Sequence, residues 1–196
     1  NKIDDSIALY VNGLRFLNAV RADSAGLTLL LDGVESTGAV TYETSDADVC
    51  AVVNGVLDVK ASGNCVVTAT VAEDERHNEA TSEVEFDVLG VYTVTYPDST
   101  TDTFVEGGTP ITLPEPTRVG YTFDGWLDGT TNVGMGGDSF SPERSVTLTG
   151  SWIVNEYDVI FDVADGTSVS DQLQVDYGST VTLSLIHISE PTRRRG

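Results

Sequence analysis

Residues able to do chemistry are scarce in this chain. Its 196 residues include two cysteines, Cys50 and Cys65, and two histidines, His77 and His187. Two thiols with one distant imidazole do not complete a zinc tetrahedron, so the cysteines are either free buried thiols or a bridged pair. No serine or cysteine stands at a spacing from His77 that marks a nucleophile and its base, and His77 reads as a loop residue. Gly134-Met-Gly-Gly137 lacks the lysine and following helix of a phosphate cradle, and reads as a loop tip. Asp128, Asn132 and Asp138 sit on that loop without the spacing of an EF-hand, so a solvated acidic loop fits them better than a calcium site. The pairs Asp4–Asp5 and Glu73–Asp74 read as solvated charge. No catalytic, cofactor-binding or metal-ligating residue is assigned, no cofactor is expected, and the expectation is that the chain is not an enzyme.

The elements that would carry these residues are β-strands. Valine and threonine are abundant and favour strands, while glycine, aspartate and serine favour the turns between them. Alternating segments recur along the chain, among them Ile7–Val11, Leu27–Leu31, Cys65–Val71, Val84–Val88, Tyr92–Tyr96, Tyr121–Leu127 and Val146–Trp152. Many short strands with turn residues between them predict sandwiches or small sheets. Leu14–Ala22 fits one face of a helix, but Gly13 beside it fits a hairpin, which is the preferred reading. The formal net charge is -21, with a pI of about 4.1. Such acidity repels nucleic acid and anionic lipid, so neither is an expected partner. No apolar run is long enough to cross a membrane, and no membrane insertion is expected within this stretch. The chain opens on Asn1 rather than Met, and this reading treats it as a fragment.

Tyr92-Thr-Val-Thr-Tyr96 is repeated as Tyr157-Asp-Val-Ile-Phe161, and Gly108-Thr-Pro-Ile-Thr-Leu113 as Gly178-Ser-Thr-Val-Thr182. A tandem unit is the pattern of a stalk or array. Within the first copy stand Leu113-Pro-Glu-Pro-Thr-Arg-Val-Gly-Tyr-Thr-Phe-Asp-Gly-Trp126 and Leu148-Thr-Gly-Ser-Trp152. On these residues the segment resembles the Listeria–Bacteroides repeat, also called the internalin B-repeat family. The resemblance implies a small β-grasp-like domain found in tandem in secreted and surface proteins. Tyr121, Phe123 and Leu127 alternate with polar neighbours, predicting one buried face, with a bulge near Gly125 that accommodates Trp126. Tyr121, Phe123, Trp126 and Trp152 are read as core anchors, the alternative being a sugar-stacking platform.

Upstream, Thr37-Gly-Ala-Val-Thr-Tyr-Glu-Thr-Ser45, Asp48-Val-Cys-Ala-Val52, Gly63-Asn-Cys-Val-Val-Thr-Ala-Thr70 and the loop Val71–Ala80 resemble a bacterial immunoglobulin-like (Big-type) domain. That resemblance, with the even cysteine count, implies a Cys50–Cys65 disulfide on strands of one hairpin region. At the other end, Leu183–Arg193 reads LSLIHISEPTR and resembles a translated sequencing adapter.

The expected fold is therefore all-β: an immunoglobulin-like sandwich followed by β-grasp-like repeat units. The expected segments are 1–89, the Ig-like domain; 90–154, the repeat; 155–182, a truncated second copy; and 183–196, an artefact tail. The expected role is a non-catalytic spacer of a modular surface or secreted bacterial protein, an adhesin-like stalk, extracellular or attached to the wall. Alternatives are a module binding a glycan or host protein, or an accessory region of a large secreted hydrolase. Any protein or glycan ligand is expected to engage mainly through other domains.

Overall fold

A computed structural model of the chain describes residues 1–162 and 168–181. The stretch 183–196, with the adapter-like tail, lies outside the described residues. The protein is all-β, with no helix among the described residues.

The first eight strands form two four-stranded sheets. One holds β1 (Ala8–Val11), β3 (Leu27–Asp32), β6 (Val56–Val59) and β5 (Cys50–Val53), in the order β1-β3-β6-β5. The other holds β2 (Ala19–Arg21), β8 (Ala80–Leu89), β7 (Gly63–Val71) and β4 (Val40–Thr44), in the order β2-β8-β7-β4. Their inner faces meet in one cluster that includes Leu9, Leu57, Val67, Phe86 and Val88. Strand β7 shows why: Cys65, Val67, Ala69 and Val71 have no exposed surface, while the residues between them point outward. Period-two alternation puts every second side chain on the core.

The segment around Leu14 is neither helix nor full hairpin. Asn12 and Gly13 both have positive φ and close a tight turn, with Val11 and Leu14 exchanging backbone hydrogen bonds. This is the two-residue turn whose twist matches that of paired strands. The return strand ends after one residue, and the chain crosses to the other sheet, where β2 runs parallel to β8. Leu14 and Phe16 consequently lie exposed. Asn54 and Gly55 make the same kind of turn between β5 and β6.

Cys50 and Cys65 are bridged. They do not share a hairpin, as the sequence suggested: Cys50 is on β5 and Cys65 on β7, so the bridge crosses the core from one sheet to the other. The chain leaves β6 for the opposite sheet immediately before Cys65, and that brings the two sulfurs together.

Beyond Gly90, strands β9 (Val91–Thr95), β10 (Thr101–Val105), β12 (Tyr121–Asp128), β13 (Thr131–Gly134) and β15 (Val146–Val154) form a sheet in the order β10-β9-β15-β12-β13. The short strands β11 (Ile111–Thr112) and β14 (Ser139–Phe140) pair beside it. Strands β9 and β15 are parallel central neighbours, Val94 opposite Val146, joining the start of the unit to its end. A separate cluster forms here from Val94, Tyr96, Phe104, Ile111, Leu113, Trp126, Val146 and Leu148. A further antiparallel pair follows, β16 (Glu156–Asp162) with β17 (Ser168–Asp176).

Replacing both cysteines with alanine is expected to cost about 3 kcal/mol, the closure entropy of a loop of this length. Urea unfolding of the parent and double variant, followed by near-ultraviolet circular dichroism, measures the difference.

Candidate functional site

The feature most able to contact a ligand is an aromatic face on the sheet of the repeat unit. It begins with a bulge in β12. Opposite β15, Phe123 pairs with Trp152, Gly125 with Ser151 and Trp126 with Gly150. Asp124 and Gly125 together oppose one residue, so the strand's parity reverses there. Gly125 carries the required positive φ of 126°. Phe123 and Trp126, three positions apart, therefore share one face. Trp126 takes the inner place that strict alternation predicts for Leu127, and Leu127 is only half-buried.

The result is a ladder of edge-on rings. Tyr96 and Trp126 are 5.2 Å apart between centroids, Trp126 and Phe123 5.3 Å, and Phe123 and Trp152 5.1 Å. Such edge-to-face contacts each add about 0.5–1.5 kcal/mol beyond area burial. Gly150 makes room: a Cβ there would stand 2.9 Å from the Trp152 Nε1 and 3.3 Å from the Phe123 ring. Trp126 donates its indole N–H to the Pro114 carbonyl at 2.8 Å, which ties the proline-stiffened crossover to the core. Tyr96 donates its hydroxyl to the Asp102 carboxylate; burial and that carboxylate push its pKa up.

The four aromatic residues expected as core anchors separate along this ladder. Trp126 is 3% exposed and belongs to the core cluster, and Phe123 packs against it. Tyr121 and Trp152 are half-buried and lie outside it. They sit on the other side of the bulge from Trp126, where β12 begins and β15 ends. Trp152 and Pro116 border two adjoining hollows, of about 490 Å3 and about 300 Å3. The larger also exposes Arg118, Tyr121, Phe123 and Met135. The Arg118 guanidinium lies 3.8 Å from the centre of the Tyr121 ring and 6.0 Å from that of Trp152. Apolar ring faces beside one delocalised cation suit stacking against a flat or ring-shaped group.

Other residues singled out from the sequence are occupied in turns. Asp128 pairs with Arg144 at 2.5 Å, the Asn132 side chain accepts from the Gly134 N–H, and Asp138 accepts from the Met135 N–H. His77 stands in the loop between β7 and β8, as its flanking residues suggested, but it is buried and faces carboxylates. Asp74 is three residues away along the chain, but Asp5 lies far upstream, where local sequence does not reveal it.

The repeated sequence has a structural counterpart at the junctions. The Glu106 N–H donates to the Gly90 carbonyl at 2.8 Å where β10 ends, and the Tyr177 N–H donates to the Asn155 carbonyl at 2.9 Å where β17 ends. Tyr177 then lies over Gly120, whose hypothetical Cβ would come within 2.0 Å of the tyrosine ring. Gly120 has a φ of +78°, so backbone conformation and close approach both demand glycine.

Among known proteins, the Listeria-Bacteroides repeat domain matches residues 83–151 of this chain, a stretch that holds Tyr96, Phe123 and Trp126 and ends one residue before Trp152. A protein of Evansella cellulosilytica named "Putative membrane protein" is 30% identical over 100 residues, which cover 48% of this chain and 15% of that protein. A second from the same organism, named "Putative Gly-rich membrane protein", is 29% identical over 100 residues, covering 48% of this chain and 12% of that protein. The matching stretch is thus a small part of much longer relatives.

Trp126→Ala is expected to cost about 3–5 kcal/mol, the usual range for emptying a core indole site. Trp152→Ala is expected to cost about 2 kcal/mol less, because its ring is already partly in water. Denaturant unfolding of the two single variants compares them, and equal losses would put Trp152 in the core after all.

Proposed function

We propose that this chain is a non-catalytic spacer region of a modular surface or secreted protein, in which successive β units hold other domains at a distance. The observation that carries this reading is the junction repeated at Gly90–Glu106 and Asn155–Tyr177, where each new hairpin is tied by the same backbone hydrogen bond to the linker before it. A short linker bonded in this way restricts the pivot between units, and an array built so lengthens by a near-constant step. Residues 1–89 supply a further module, read as a bacterial immunoglobulin-like unit from two four-stranded sheets joined by a disulfide. The engagement of both cysteines in that bridge supports a role without covalent thiol catalysis. An extracellular setting accords with the disulfide and with the relatives named as membrane proteins.

A second reading is favoured by one feature, the half-buried Trp152 between two hollows with Arg118 beside it. Here the repeat unit itself contacts a glycan or a protein through its rings. Trp152→Ala would abolish such binding while leaving the unit folded.

Small-angle scattering on chains with one, two and three repeat units tests the spacer reading. The expected result is a maximum dimension that grows by an equal increment with each unit. A radius of gyration that barely changes would mean that the units fold back on one another, and the spacer reading would fail. The same samples are expected to release no product from polysaccharide or peptide substrates.

A further inference from the structure

At one end of the first unit, three stretches far apart in sequence converge: the segment before β1, the loop between β3 and β4, and the loop between β7 and β8. Ile3 forms an isolated bridge with His77, and Lys2 pairs with Glu73 at 2.6 Å. This brings the Asp5 side chain, fully removed from solvent, against the other two stretches. Its Oδ2 accepts the Glu35 and Ser36 N–H groups at 3.0 and 2.8 Å. Its Oδ1 is buried and has no hydrogen-bond partner. A buried carboxylate oxygen left unpaired is costly and calls for an explanation.

The group facing that oxygen is the His77 imidazole. Asp74 accepts four N–H donors: those of Thr37, Arg76 and His77 from the backbone, and the His77 Nδ1–H at 3.1 Å. Both Asp74 oxygens thus serve as acceptors, so Nδ1 carries the hydrogen and the Nε2 lone pair is free to coordinate. Nε2 lies 3.9 Å from Asp5 Oδ1, too far for a hydrogen bond. Two donors on one zinc ion, each about 2.1 Å from it, stand about 3.4 Å apart across a tetrahedral angle. The Glu35 carboxylate completes the group: one donor atom each from Asp5, Glu35 and His77 lies within 4.8 Å of the others.

The structure assigns to Asp5, Glu35 and His77 a binding site for a divalent metal ion of the zinc class, with Asp74 orienting the histidine. One imidazole nitrogen with two carboxylates suits zinc better than calcium, which takes six to eight oxygens. A carboxylate on the remote nitrogen of a ligating histidine is a recurrent device of zinc sites, fixing the tautomer and raising ligand basicity. With three protein donors, water takes the remaining coordination position. The ion would clamp the three stretches where they meet at the end of the unit. It is a ligand-dependent addition to the fold and is independent of the spacer reading.

The test is calorimetric titration of Zn2+ at pH 7.5 into the full, untagged chain carrying His187→Ala, in which His77 is the sole imidazole. The expected result is one saturable site, loss of binding in His77→Gln, and at least about tenfold weaker binding in Glu35→Gln. The Glu35 side chain makes no hydrogen bond or ion pair among the described residues, so Glu35→Gln is expected to melt like its parent without metal. Zn2+ is expected to raise the parent's melting temperature by roughly 4 °C or more at saturating excess. Amide shifts recorded during the titration need no substitution and are expected to concentrate at residues 3–6, 34–38 and 73–78. Absence of saturable binding, unchanged affinity in Glu35→Gln, shifts centred on another acidic loop, or tighter binding of Ca2+ than of Zn2+ would each overturn the assignment.

Discussion

The side chains that cross between layers carry this molecule, because neither of its cores is large. Thirteen buried residues fill the first and eight the second. Small cores remove little apolar surface from water, and the margin left after conformational entropy is correspondingly thin. Each unit answers this with one strong tie through its middle. In the first it is the covalent link from β5 to β7, which joins the two sheets across their shared apolar core. In the second it is Trp126, the largest buried side chain, whose N–H reaches the carbonyl of Pro114 on the crossover.

These ties explain the rest of the arrangement. With the sheets of the first unit held together, its ends need little packing, and they are occupied by turns and by the buried polar cluster around Asp5, Asp74 and His77. In the second unit Trp126 lies at the centre of the ring ladder, and the rings on either side of it are placed by the bulge and by Gly150. The ladder runs from the core into solvent without a break. One row of rings therefore stabilises the unit at Trp126 and offers contact surface at Trp152.

Acidity acts on top of this frame. A net charge of -21 works against compaction through self-repulsion. Asp74 shows that some of this charge is structural. Its carboxylate is stabilised by N–H donors in the folded state, so its contribution is present above the ordinary carboxylate pKa and declines as pH falls below about 4.

What the sequence determined by itself was everything governed by neighbours along the chain. Alternation in β7 and β8 identified strands, Gly13 marked a turn, and the glycine at 125 marked a bulge, because each depends on local backbone preference. The motif from Leu113 to Trp126 likewise identified the repeat unit. Tertiary structure alone decided which strands share a sheet. That choice put Cys50 and Cys65 on opposite layers, and made β9 and β15 parallel neighbours despite the long stretch between them. It also decided that the bulge would bring Trp126 in and leave Leu127 half-buried, since parity is reset by pairing with β15 rather than by the strand itself. The meeting of Asp5, Glu35 and His77 was the least legible of all. Each reads as an ordinary loop residue, and what joins them is the folding of three loops onto one end of a sandwich, a long-range event that no local pattern encodes.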